Sequence, residues 1–315
     1  MIKDFEIKKI LVATDFSEVA NNALNTAIAI AKRQGASIEL FHVIEVRHFL
    51  CAYPGEFMLC KNMTHEIKKG IEESMGKFAK SKGADSGVEI TYSVASGNVS
   101  IEVCRKALDY NFDLIVIGTH GISGAKEFFI GSNAFSIIKE ALCPVLSIPA
   151  NCSITDFNKV AFPVRVHLKI LEKYYFIKPF LEKSHSQLLI LGLLHKDSKK
   201  ELIAVGDLVY KLKDELHKDG FKYESENYIS QNFAETVMQC ATGFNADLVV
   251  ITSNPEKQFK EFFTGTFTQQ IVNRCKLPVL SINPQIKREV AFDTGSINFA
   301  SLGEYYISSL NKLSY

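Results

Sequence analysis

The densest concentration of chemically useful residues in the chain is Gly118-Thr119-His120-Gly121, followed nine residues later by Gly131-Ser132-Asn133. Glycines at 118, 121 and 131 can take positive φ and let the main chain approach an anion closely, while amides opening a helix at Ser132 would point toward it. The Ser132 hydroxyl offers one more hydrogen bond to a phosphate oxygen. His120 could polarise a phosphate or relay a proton, but no acid partner for it is identifiable, so its expected role is that of a loop residue. Asp15, just after the apolar run Ile10 to Ala13, can accept hydrogen bonds from hydroxyl or amino donors. The alternative is an acid favoured by the dipole of the following helix. A second cluster, His48, Cys51, Cys60 and His65, supplies imidazole and thiolate groups. It lacks a close Cys-x-x-Cys pair, so no metal is expected there.

These residues need a scaffold that delivers them to one edge. Short apolar runs at Ile10–Ala13, Ile38–Ile44, Glu89–Val94, Leu114–Ile117 and Val145–Ile148 alternate with segments of helical period, the pattern of βα units on a parallel sheet buried on both faces. Ala20, Ala23, Leu24, Ala27, Ile28 and Ala31 form one apolar helix face, with Ser17 placed to cap its start and Gly35 its end. Further helices are predicted over 64–82 and 99–110, and from Ser132 to the stop at Pro144. The phosphate cradle then sits at the carboxyl end of the fourth strand, where open α/β sheets bind ligands.

The pattern occurs twice. Asp113–Pro149 aligns without gaps on Asp247–Asn283 at an offset of 134, and 15 of the 37 positions are identical. Lys9–Val12 and Ile38–Ile44 match Lys159–Phe162 and Leu188–Leu194 at an offset of 150, so the first copy carries 16 additional residues between positions 45 and 96. The expected organisation is a first domain over 1–150, a second over 151–284 and a tail over 285–315, the period of a duplicated domain rather than of a small repeat. Residues 47–63 read as an excursion after the second strand, a flap or an interface loop.

In the second copy Asp15 becomes Arg165, Gly118 becomes Thr252 and Gly121 becomes Pro255, leaving Gly265-Thr266 of the cradle. Proline has no amide donor and threonine resists glycine's conformations. The second copy is therefore expected not to bind the same ligand, and Arg165 reads as a surface or interdomain charge.

Composition narrows the partners. The chain has 315 residues, 47% hydrophobic and 23% charged, and its 36 Lys and Arg nearly balance 35 Asp and Glu. That balance lacks the electrostatic footprint of a nucleic-acid or lipid-surface binder. No apolar run is long enough for a membrane span, and seven cysteines without paired spacing suit the cytoplasm.

With these residues in view, the sequence resembles the universal stress protein family, whose nucleotide motif is Gly-x-x-Gly, nine residues, then Gly-Ser or Gly-Thr. The similarity extends to Ile10–Ser17, His42-Val43, Gly97-Asn98 and Cys143–Leu146. It is strong over 5–149 and weak over 158–283. The resemblance implies two tandem doubly wound α/β domains, each a five-stranded parallel sheet of order 3-2-1-4-5 with helices on both faces. It implies ATP, alone or with Mg2+, held by Ala13, Thr14 and Asp15, by the Val43 backbone at the adenine edge, and by Gly118, His120, Gly121, Gly131, Ser132 and Asn133 around the phosphates. Asn133 departs from the small apolar residue expected after Gly-Ser. Family domains pair through their last strand, so the two copies are expected to pair within the chain, with a homodimer an open alternative.

The expected function is a nucleotide-responsive regulatory or interaction protein of the stress response. A slow ATPase and a nucleotide-independent scaffold are the alternatives. The chain lacks the Ser-Gly-Gly-x-Asp-Ser and His-x-Gly-His signatures of related transferases and the Gly-x-x-x-x-Gly-Lys-Ser/Thr loop of motor ATPases.

Overall fold

A computed structural model of the chain describes residues 5–45, 54–119, 130–150, 152, 154–166, 170–196, 198–253 and 266–283, with the backbone alone at 54–65. The first copy runs β1 (Lys9–Ala13), α1 (Glu18–Gln34), β2 (Ser37–Glu45), α2 (Pro54–Ser86), β3 (Ile90–Gly97), α3 (Val99–Asp109), β4 (Leu114–Gly118), α4 (Ser132–Glu140) and β5 (Val145–Ile148). The second repeats it as β6 (Lys159–Val164), α5 (Ile170–Ser184), β7 (Gln187–Leu194), α6 (Lys199–Lys218), β8 (Lys222–Ile229), α7 (Phe233–Gly243), β9 (Leu248–Thr252), α8 (Phe267–Arg274) and β10 (Val279–Ile282).

All ten strands join one sheet in the order β3-β2-β1-β4-β5-β10-β9-β6-β7-β8. Read from either outer edge, each half is 3-2-1-4-5, and every pairing within a half is parallel. The halves meet where β5 and β10 pair antiparallel around Leu146 and Leu280, with Ser147 Oγ donating to Val279 O at 3.2 Å. Strand alternation divides the core into two layers. Ile10, Val12 and Leu40 pack with α1, α2, α5 and α6 on one face, while Leu11, Ile115 and Ile117 pack with α3, α4, α7 and α8 on the other.

Local chemistry sets the helix ends. Ser17 Oγ accepts the Ala20 amide at 3.2 Å, and Gly35 closes α1 at φ 69°, a conformation that glycine takes without a Cβ penalty. The helix expected over 64–82 is longer, beginning at Pro54, so the excursion expected over 47–63 is helical from Pro54 onward. Proline at a first helical position gives up only an amide that lacks an intrahelical acceptor anyway. Residues 285–315, the expected tail, lie outside the described residues.

Candidate functional site

The candidate crevice opens beyond the carboxyl ends of β1 and β4, the point at which the strand order reverses. On its β1 side, Ala13 ends the strand and Thr14 and Asp15 lie in a tight turn into α1. Thr14 Oγ1 accepts the Phe16 amide at 3.1 Å and Asp15 Oδ1 accepts the Ser17 amide at 3.0 Å. These two bonds hold Phe16 at φ 65°, a left-handed conformation uncommon for a bulky residue. The Phe16 ring lies 4.9 Å from the His42 ring, and His42 Nδ1 donates to Thr14 O at 2.8 Å. His42 therefore ties the turn to β2. Sequence reasoning identified His42 and Phe16 only through resemblance.

Beside this turn, β2 outruns β1. The last β1–β2 rung is the Thr14 amide donating to Phe41 O at 2.9 Å, whereas β2 stays paired with β3 through Glu45. In a parallel ladder the N–H and C=O of one residue face the same neighbour, and alternate residues face alternate sides. Phe41 faces β1, so Val43 does too, and its main-chain groups look out past the end of β1 over the crevice. The Val43 side chain is meanwhile buried in the core.

The β4 side differs from what the glycines suggested. Neither Gly118 nor Gly131 takes positive φ. A Cβ on Gly118 would lie 2.8 Å from Val19 Cγ1 and 3.2 Å from the Val19 carbonyl carbon, so this glycine lets α1 pack onto the end of β4. Gly131 sits at φ −58° as the N-cap of α4, and its amide is engaged by Thr119 O at 2.8 Å. Among the described residues, the amides left for an anion are those of the first turn of α4. Gly131 supplies no side-chain cap, and the amides of Ser132, Asn133 and Ala134 have no acceptor within the helix. Ser132 is exposed and Asn133 half-buried beside them. Among the described residues, a Cβ on Gly131 would meet nothing closer than Thr119 O at 3.7 Å. His120 and Gly121 lie outside the described residues, as do the side chains of His48, Cys51, Cys60 and His65. Among the described residues no group of His, Cys, Asp and Glu is arranged to hold a metal.

The corresponding crevice of the second copy is filled by its own side chains. Arg165, in the place of Asp15, stacks its guanidinium 4.7 Å from the Phe267 ring and 5.3 Å from the Phe233 ring. Phe267 stands where the first copy has Asn133 and is buried, and Thr266 Oγ1 caps α8 by accepting the Gln269 amide at 3.3 Å. The His195 ring packs 4.5 Å from Phe233, and His195 donates through its main-chain N–H to Glu201 at 2.8 Å. That backbone bond, with the His195 ring and Arg165 nearby, holds the Glu201 carboxyl below the usual carboxylate range. Arg165, expected as a surface or interdomain charge, stacks instead on two aromatic rings of its own copy. Pro255 and Gly265 lie outside the described residues.

With this geometry in place, comparison with known proteins becomes informative. Residues 6–149 match the Universal stress protein family. Universal stress protein YxiE of Bacillus subtilis is 32% identical over 144 residues, 44% of this chain and 97% of that protein. The chain belongs to the universal stress protein family. Universal stress protein MJ0531 of Methanocaldococcus jannaschii is 33% identical over 141 residues, 45% of this chain and 81% of that protein. A crystal structure of a universal stress protein from Archaeoglobus fulgidus aligns with a TM-score of 0.70 at 16% identity, over 89% of this chain and 97% of that one. At that identity the likeness concerns the fold, and it extends over both copies of this universal stress protein. Among the described residues no helix is long and apolar enough to cross a membrane.

Proposed function

We propose that the first copy binds ATP across the carboxyl ends of β1 and β4 and that the protein acts in the cytoplasm as a nucleotide-responsive regulator or interaction partner in the stress response. In this reading Val43 main-chain groups hold the adenine edge, while Ala13, Thr14 and Asp15 line the adenosine side. The α4 amides and the Ser132 hydroxyl receive the phosphates, with Asn133 beside them and His120 and Gly121 completing the loop. The donor set fits the ligand. Amides at a helix start present partial positive charge to a polyanion, and a carboxylate accepts from ribose hydroxyls.

The observation that carries the proposal is the contrast between two equivalent helices. In the first copy α4 begins at a glycine that gives it no side-chain cap, whereas in the second α8 is capped by Thr266 and Arg165 stacks on its first residue, Phe267. In this reading the first cleft receives the ligand, and the Arg165 stack on Phe233 and Phe267 bars it from the second. We assign 1–150 to the nucleotide domain, 151–284 to a non-binding partner domain and 285–315 to a tail. The partner domain stands in for the second subunit of a homodimer, since its β10 covers the β5 edge that would otherwise invite association.

Calorimetric titration of the purified chain with ATP, ADP, AMP and cyclic nucleotides tests this. Saturable ATP binding at one site per chain is expected. No heat with any nucleotide, together with none released on denaturation, would leave a scaffold as the better description. Steady release of ADP abolished by Gly131→Val would point instead to a slow ATPase.

A further inference from the structure

The return into α4 is held by a side chain from the other copy. The Ile130 amide donates to Asn273 Oδ1, on α8, at 3.0 Å. Because the donor is a main-chain N–H, the acceptor must be the carbonyl oxygen of the Asn273 side chain. One residue later Gly131 donates to Thr119 O, and the Thr119 amide donates in turn to Ile148 O on β5 at 3.0 Å. Among the described residues, the segment that sets where the uncapped first turn of α4 points is therefore held by one bond from its own copy and one from its neighbour.

The contact is one-sided. The residue aligned with Asn273 is Lys139, whose side chain has no acceptor and so cannot return this bond to a main-chain amide; its ammonium lies 5.8 Å from the Phe135 ring centroid, and its carbonyl takes a bond from Asn283 Nδ2 at 3.1 Å. Two symmetric subunits would exchange such a contact reciprocally. Here the closed copy supplies a holding group to the copy with the open cleft.

We propose that Asn273 is a positioning residue for the phosphate end of the cleft, through which the second copy sets the nucleotide affinity of the first. The proposal rests on the nucleotide reading given above. Asn273 bonds the Ile130 amide, one residue before the α4 cap, rather than the α4 amides themselves. It restricts Ile130 and Gly131, so that the Ser132, Asn133 and Ala134 amides are aimed before the ligand arrives rather than ordered by it. A partner or modification that shifted α8 along the interface would change phosphate affinity without entering the crevice.

The test is Asn273→Ala in the full chain, titrated with ATP and with adenosine, alongside Asn283→Ala as a variant that removes a different bond between the copies. Loss of one positioning hydrogen bond should weaken ATP binding about three- to tenfold. Adenosine, which lacks phosphates, should bind as it does to the unaltered chain, and Asn283→Ala should leave both affinities unchanged. Hydrogen exchange at the Ile130 amide should accelerate in Asn273→Ala alone. ATP affinity unchanged in Asn273→Ala, or an equal loss for ATP and adenosine, overturns the role of Asn273. Failure of the unaltered chain to bind ATP overturns instead the reading of the cleft on which it rests.

Discussion

The Lys173 ammonium nitrogen donates to the carbonyl of Pro163 at 2.6 Å and reaches the Val250 carbonyl at 3.4 Å, wholly buried beneath the second copy's plugged crevice. The pair has a common cause in the sheet. In the first copy β1 and β4 pair as far as Val12 with Val116, whereas β6 and β9 stop at Ala161 with Val249. The next rung would run from the amide of residue 163 to Val250 O, and proline has no amide to give. Lys173, which stands where the first copy has Ala23, supplies the missing donor from α5. Lys173→Met should therefore destabilise the chain by about 1–3 kcal/mol, the cost of leaving buried carbonyls unpaired. Pro163→Ala in that background should recover part of the loss by returning an N–H to the ladder. Urea unfolding of the four members of the cycle measures the coupling, and strictly additive effects would sever the link between the two residues.

Lys173 also gives the fold a dependence on pH. Burial, reinforced by the nearby Arg165 charge, holds its pKa well below the ordinary 10.5 in the folded chain. Between that lowered value and 10.5 the unfolded chain carries one more proton at this site than the folded chain, so stability rises with pH across the window. Lys173→Met should lack this contribution. The stability difference between the unaltered chain and the variant should therefore widen as the pH rises toward 10.5. Parallel pH profiles for the two proteins would contradict the assignment.

The sheet was legible because its strands are nearly continuous apolar runs and because the repeat supplies a second reading of each. Ser17 and Gly35 marked the ends of α1 by side-chain type alone. The helix from Pro54 was only half visible, since Pro54-Gly55 reads locally as a turn and the pattern strengthens only near 64. Glycine identity was visible in the candidate site, but its cause was not. Gly118 answers to Val19, which is a hundred residues away in sequence, and nothing in a Gly-x-x-Gly spacing records that contact. Substitution of Asp15 by Arg165 signalled loss of a site, yet stacking on Phe233 and Phe267 depends on three elements meeting in space. Asn273 was missed because it lies in the copy without the motif.

The two glycines accordingly make opposite predictions. Gly118→Ala places a Cβ 3.2 Å from the Val19 main chain, so either α1 or β4 must shift, and a loss of roughly 1–3 kcal/mol in stability is expected. Gly131→Ala places one that meets, among the described residues, nothing closer than 3.7 Å, and at a compatible φ, so the melting temperature should hardly move. The larger Gly131→Val should keep the fold and abolish ATP binding, because its methyl groups would occupy the space before the α4 amides. Thermal unfolding and titration on the same samples separate the effects. A Gly131→Val chain that folds and still binds ATP would remove the phosphates from that end of the crevice.

Asp15 and Arg165 occupy equivalent places and should part company in the same pair of measurements. Asp15 accepts the Ser17 amide at the entrance to α1 and is half-buried where the adenosine would lie. A charged hydrogen bond there contributes about 1.5–3 kcal/mol, so Asp15→Ala should weaken ATP about ten- to a hundredfold. A modest loss of stability should accompany it, since the turn also loses an acceptor. Arg165→Ala removes a guanidinium that packs on two rings of the second copy. It should cost about 0.5–2 kcal/mol of stability and leave ATP affinity at the value of the unaltered chain. If instead Arg165→Ala abolished nucleotide binding while Asp15→Ala left it intact, the working cleft would be the one that its own side chains fill.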